Sequence, residues 1–147
     1  MSSSTENKLK TAHSHLLVTV LKLPAPLIAI TLWVLSSQST LPEMKGIFGF
    51  DKFLHFTAFA ALSFAAGLWF SRESWLRLPW RNFLICLAVV SVYGVLDEFH
   101  QYFVPGRASS VWDWVADTLG GAAGAAAVLL AARFTSKYGF NRITCGY

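Results

Sequence analysis

Five of the eight carboxylates in this sequence fall into three short clusters together with two of its four histidines. Asp51 stands with Lys52 and His55, Asp97 and Glu98 with His100 and Gln101, and Asp113 with Asp117. The spacing is informative. Asp51 and His55 are four residues apart, as are Asp97 and Gln101, and Asp113 and Asp117, whereas Asp97 and His100 are three apart. On a helix, residues at these separations project from the same side. Two histidines with several carboxylates are compatible with a metal site, and a His–Asp pair is compatible with general acid–base work. The acids could equally bind ammonium groups or a bridging divalent cation, while Lys52, Arg107 and the histidines could contact phosphate. No HExxH spacing and no Ser or Cys nucleophile signature accompanies them.

The elements that must carry these residues are apolar. The chain has 147 residues, enough for one domain, and is 54% hydrophobic, 15% aromatic and 14% charged. A soluble domain carries about 25% charged residues, so this composition points to membrane. A mean hydropathy of +0.48 agrees. Four apolar stretches approach bilayer-spanning length, which predicts an all-α, four-transmembrane-helix bundle. The first runs from Leu16 to Leu35 and is interrupted by Lys22, Pro24 and Pro26. Its rival reading is a signal peptide, since Ser37-Gln38-Ser39 has the small-x-small form of a cleavage site. The prolines and the long polar region before it argue for a span instead. The second span covers Phe53 to Phe70, the third Phe83 to Phe103 and the fourth Val111 to Ala132. Gly120 and Gly124 form a GxxxG in the fourth, with Gly121 beside them, a pattern that lets another helix backbone come close. Trp33, Trp69, Trp75, Trp80, Trp112 and Trp114 fall at span ends, where an aromatic belt is expected. Cys86 lies in a span and Cys145 in the tail, so no disulfide framework is implied.

Charge sets the orientation. With four spans, the N-terminal segment, the link between spans two and three, and the C-terminal tail share one side. That side holds nine basic residues against Glu6 and Glu73, a net +7. The other holds Lys45, Lys52 and Arg107 against Glu43, Asp51, Asp97, Glu98, Asp113 and Asp117, a net −3. The positive-inside rule makes the first side cytoplasmic, so both termini are expected there. The basic residues form no continuous stripe, so nucleic acid is not an expected partner.

All three clusters then lie at the outer face. Asp97 is six residues inside the end of its span and Asp117 six inside the start of the next, each about 9 Å below its helix end. An ionisable group at that depth is costly unless it faces the bundle interior with a partner. Other members have simpler readings. Ser110-Val-Trp-Asp113 fits a capping box, which would make Asp113 a helix-start residue. Asp51 would favour a helix N-terminus through the dipole. Lys52 would snorkel, His55 would be a packed and hydrogen-bonded histidine, and Arg107 would be a turn residue or a partner for Asp97 or Asp117.

Three segments together resemble the VanZ-like family. They are Asp51-Lys52-Phe53-Leu54-His55-Phe56, the long block from Tyr93 to Arg107, and Asp113 with Asp117-Thr118-Leu119-Gly120. Members are small bacterial multi-pass membrane proteins, named after a teicoplanin-resistance protein. The resemblance covers roughly Leu27 to Phe134, and Ser36 to Ser39 also looks like the family's end of span one. It implies a VanZ-like membrane domain over residues 16–134, between cytoplasmic segments at 1–15 and 135–147. It also implies a place in the bacterial cytoplasmic membrane and a link to the cell envelope and antibiotic resistance, but no particular reaction. Where members often have Asn before Thr-Leu-Gly, this chain has Asp117, which adds a negative charge and removes an amide donor.

Three functions compete on these grounds. The first is a binding or shielding protein whose outer pocket engages membrane lipids, a lipid-linked peptidoglycan precursor or a lipoglycopeptide. The second is a membrane-embedded enzyme, with or without a metal, acting on a lipid-linked envelope substrate. The third is a structural or homo-oligomerising module that uses Gly120, Gly121 and Gly124, with the polar cluster as glue. Four spans without an internal repeat argue against a monomeric transporter.

Overall fold

A computed structural model describes residues 19–39 and 49–137. Within them the chain is helical with no strand: α1 Pro24–Ser36, α2 Phe50–Gly67, α3 Arg72–Arg77, α4 Pro79–Tyr102 and α5 Val111–Lys137. The prolines of the first span do not break it. Pro24 begins α1, where a missing N–H costs nothing because first-turn amides have no intrahelical partner. A helical turn at 19–22 continues the run, so the apolar helix extends over Thr19–Ser36.

Thr19–Ser36, Pro79–Tyr102 and Val111–Thr135 are each long and apolar enough to cross a membrane. The second expected span is the exception. Its helix is 18 residues long and carries Asp51, Lys52 and His55 in its first two turns, and it ends at Gly67 rather than Phe70. Leu68, Trp69 and Phe70 turn back by bonds to the carbonyls of Ala65, Ala66 and Gly67.

Helices α1 and α4 run in one sense, α2 and α5 in the other. Ties at both ends establish this: Ser36 and Ser37 of α1 and its C-cap meet Gln101 and His100 of α4, while the Lys22 carbonyl accepts from Trp69 beyond α2. The tightest seam joins α2 to α5. A Cβ on Gly120 would collide with the Phe56 carbonyl oxygen, and one on Gly124 with that of Ala60, so both glycines lie directly on the α2 backbone. Ser63 Oγ donates to the Gly121 carbonyl across the same seam at 2.7 Å. The glycine face is therefore covered by a helix of its own chain. On the other side of α5, a Cβ at Gly121 would stand 3.0 Å from Val90 of α4.

Two apolar clusters fill the interior. Phe59, Leu62 and Val90 lie mid-bundle, against Ile28 and Leu32 of α1. Trp75, Cys86, Ala125, Val128 and Ala132 fill the end that carries the basic residues. Trp75 departs from the expected aromatic belt. The short helix α3, started by Ser71 accepting from Ser74 N–H, turns its indole inward. The ring is 1% exposed and its Nε1 donates to the Gly67 carbonyl at 2.9 Å. Trp69, Trp80 and Trp112 do stand exposed, among Ile30, Val92, Leu119 and Leu130 on the outside of the bundle. Large apolar side chains on so much of the exterior are what a lipid-facing surface requires.

Candidate functional site

At the end opposite Trp75, three helices and one turn converge. The start of α2 supplies Lys52 and His55, the last turns of α4 supply Asp97, Glu98 and Gln101, and the start of α5 supplies Asp113 and Asp117. Arg107 comes from the turn between α4 and α5. That turn closes through Arg107 N–H to the Val104 carbonyl at 3.1 Å, with Gly106 at φ 82°, a left-handed conformation that glycine tolerates best.

Asp117 is fully buried, and its Oδ1 lies 2.9 Å from His55 Nδ1. Its other oxygen faces Gly94 of α4. A Cβ at Gly94 would stand 3.0 Å from Asp117 Oδ2, so a larger residue there would crowd the carboxylate. Asp97 is buried too, and its Oδ2 accepts from Gln101 Nε2 at 2.8 Å. Gln101 Oε1 in turn accepts from Arg107 Nη2 at 3.0 Å, while Gln101 Nε2 makes a long 3.5 Å contact to Ser36 Oγ. Arg107 thus reaches Asp97 through Gln101 and pairs directly with neither Asp97 nor Asp117.

The start of α5 differs from the expected capping box. Ser110 Oγ accepts from Trp112 N–H at 3.2 Å, as a cap should. The return bond to Ser110 N–H comes from Glu98 Oε2 at 2.7 Å, across the helix pair, and not from Asp113. Asp113 is buried and bound to Lys52 Nζ at 2.7 Å. Lys52 also holds Asp51 at 2.8 Å, so of the Asp51–His55 pair only the histidine turns inward while Asp51 stays exposed. Lys52 and Asp51 precede the apolar part of α2. Two carboxylates hold the Lys52 ammonium above the usual lysine range, Asp113 contributing most, and Lys52 holds Asp51 below the usual carboxylate range.

His100 lies apart from this group. Its ring stacks on Trp33 with centroids 4.2 Å apart, and Nε2 meets Ser37 Oγ at 2.9 Å. Asp97 and His100 differ by about 60° around an ideal helix. That rotation is enough to send Asp97 toward His55 of α2 and His100 toward Trp33 of α1. The Ser37–His100 pair is no activated nucleophile, because the Ser37 hydroxyl donates its one proton to the Trp33 carbonyl at 2.7 Å. Ser37 therefore accepts from the imidazole.

The convergence leaves atoms over. Asp97 Oδ1, Glu98 Oε1, Asp117 Oδ2 and Arg107 Nε are buried side-chain atoms without a hydrogen-bond partner. One ligating atom each from His55, Asp97 and Glu98 lies within 4.8 Å of the other two. Sequence reasoning reached His55 by helical spacing and Asp97 by spacing and depth, and counted Glu98 only among the outer-face carboxylates. It missed Trp33, Ser37 and Gly94, whose roles depend on which helix packs beside them. Gly94 alone carried a local signal, lying one turn before Asp97 on the same face.

No curated protein and no solved structure matches the chain. A family model, described as VanZ/LLP1, matches residues 2–132. That span holds every residue of the acidic end and all of the packed helices but the last turn of α5. With its apolar helices, the chain is a membrane protein belonging to the VanZ/LLP1 family.

Proposed function

We propose that this is a four-helix, multi-pass protein of the bacterial cytoplasmic membrane with both termini in the cytoplasm. Its acidic end binds or shields a cell-envelope ligand: a lipid headgroup, a peptidoglycan precursor or a glycopeptide antibiotic. The observation that carries this reading is the set of polar side chains from Lys52 to Arg107, paired in separate hydrogen-bonded groups but gathered at one end of a bundle with many large apolar side chains on its exterior. An ionisable residue in a span costs about 2.5–3.5 kcal/mol on insertion scales, so several gathered together call for a use. Orientation rests on the +7 to −3 division of charge, which places this end outside. Cysteine placed at Pro105 should then react with an impermeant label in intact cells. Reaction only after permeabilisation would reverse the orientation.

Binding is tested in cells carrying the protein, by measuring how much fluorescent lipoglycopeptide they retain at the surface. Asp97→Asn and Asp117→Asn should abolish any difference from cells lacking the protein while its membrane abundance stays normal. Full effect in both variants would remove the acidic end from the function. Loss in step with abundance would make the network structural glue.

A membrane-embedded enzyme is the second reading. The specific observation in its favour is the His55–Asp117 pair at 2.9 Å beside two further carboxylates. Chemical change in a lipid-linked precursor incubated with the purified protein would favour it over binding alone.

A further inference from the structure

We infer that His55, Asp97 and Glu98 form a site for one divalent cation of the kind that accepts mixed nitrogen and oxygen ligands, Zn2+ or Mn2+, with Asp117 as the positioning residue for His55.

The geometry comes first. The three ligating atoms lie within 4.8 Å of one another. Around a tetrahedral zinc with bonds of about 2.0–2.2 Å, ligand atoms stand about 3.3–3.6 Å apart. A pair at the 4.8 Å limit would therefore have to close by roughly 1.2 Å, a movement side-chain rotation can supply.

The second observation is independent of that proximity. Asp97 and Glu98 each give one oxygen to a protein donor, Gln101 Nε2 and Ser110 N–H respectively. Their remaining oxygens, Oδ1 and Oε1, are buried without a hydrogen bond of normal geometry, although the Ser109 hydroxyl stands near the Glu98 carboxylate. Buried polar atoms nearly always have partners, so two orphaned acceptors in one cluster point to a missing electrophile. No described lysine or arginine supplies it. Lys52 is committed to Asp51 and Asp113, and Arg107 donates through Nη2 to Gln101 while its buried Nε reaches neither carboxylate.

His55 is set up in the way metal-binding histidines are. Its Nδ1 faces the Asp117 carboxylate at 2.9 Å. With the proton on Nδ1, the free lone pair is on Nε2, and the carboxylate fixes both the tautomer and the ring orientation. The ring keeps 16% of its side-chain surface open, which gives an ion a way in. One imidazole with two carboxylates suits Zn2+ or Mn2+ better than Mg2+ or Ca2+, which favour all-oxygen shells. Three protein ligands leave at least one position for water or for an oxygen of another molecule.

The inference stands whether or not an envelope ligand binds, because the test reads the metal alone. The full chain, purified in detergent without an affinity tag and stripped with chelator, is titrated calorimetrically with Zn2+ and Mn2+, with Mg2+ and Ca2+ as comparisons. One equivalent of Zn2+ or Mn2+ should bind and raise the melting temperature. Glu98→Gln and His55→Ala should each weaken binding at least about tenfold, and Asp117→Asn about 10–100-fold. Bound Mn2+ should show nitrogen modulation in pulsed electron paramagnetic resonance, lost in His55→Ala. If His55→Ala does not fold, the near-isosteric Glu98→Gln and Asp97→Asn decide the matter. Absence of Zn2+ and Mn2+ binding by the folded wild type would overturn the site. So would unchanged affinity in folded Glu98→Gln and Asp97→Asn, which would place the ion elsewhere on the chain.

Discussion

At the Trp75 end of the bundle, Asn82 is fully buried and donates to Ser74 Oγ at 2.8 Å while Arg81 donates to its Oδ1. The buried Trp75 indole finds the Gly67 carbonyl, and Arg72 Nε donates to the Ala132 carbonyl and to Thr135 Oγ1. At the other end of the same α2–α5 pair lie the four buried side-chain atoms that have no hydrogen-bond partner among the described residues. Both ends bury polar groups, so burial alone does not distinguish them. Completion does. A network meant only to hold helices together is most stable when every member is satisfied. The Trp75 end meets that condition, and the acidic end keeps carboxylate oxygens in reserve.

The comparison breaks most readily along the seam both ends share. Gly124→Leu would drive a side chain into the Ala60 carbonyl and the Phe64 N–H, backbone atoms that cannot rotate away. Overpacking usually costs about 1–3 kcal/mol, and here at least about 3 kcal/mol or loss of the fold is expected. Gly121→Ala meets only side chains, Val90 at 3.0 Å and Leu87 at 3.8 Å, and should cost less. Thermal unfolding in detergent compares them. Equal, small effects at both positions would mean that the α2–α5 seam is looser than its geometry.

Next come the satisfied and the unsatisfied polar groups. Asn82→Ala should destabilise by about 1–3 kcal/mol, because Ser74 and Arg81 lose a buried partner. In cation-free protein, Asp97→Asn and Glu98→Gln should do the opposite, leaving stability unchanged or raising it by about 1 kcal/mol. Each replaces a buried carboxyl group that has no cationic partner by a neutral amide and keeps an oxygen for Gln101 or Ser110 N–H. If these amides destabilise as much as Asn82→Ala, the two ends are the same kind of network and the contrast fails.

Much of the acidic end was legible because helical spacing is a local property. The Asp113–Asp117 separation and the depth of Asp97 follow from 3.6 residues per turn and the limits of the apolar runs. What spacing could not say is which helix lies beside each face. Asp97 and His100 are near neighbours on α4, and only the position of α1 sends His100 to Trp33. Asp113 reads locally as a cap, and only the approach of α2 gives it Lys52 while Glu98 takes over the capping bond. Trp75 reads as an interfacial tryptophan because α3, at six residues, is too short to show a period. The prolines of α1 read as interruptions because a helix start and a helix break share a composition.

The smallest expected effect lies at the rim, where Lys52 joins an exposed and a buried carboxylate. Asp113 and Asp51 raise the Lys52 pKa, and Lys52 lowers that of Asp51. The signs fix a window. A lysine with a raised folded-state pKa stabilises fully below its unfolded value of about 10.4, and that contribution is lost as pH rises through the raised value. An aspartate with a lowered pKa stabilises fully above about 3.9 and loses its contribution as pH falls through the lowered value. Between about pH 5 and 9 the rim should therefore be insensitive to pH. The Lys52 side chain is 39% exposed, so solvent screens much of the attraction. Lys52→Met should cost about 1 kcal/mol or less at pH 7, chiefly through the stranded Asp113. The deficit against wild type should stay constant from pH 5 to 9 and shrink above about pH 10.5, as the wild-type lysine loses its proton. Melting temperatures of the two proteins across that range provide the measurement. A deficit that grew with alkalinity would mean that Lys52 is stabilising as a neutral amine. A deficit near that of Asn82→Ala would instead make the rim a structural part of the network.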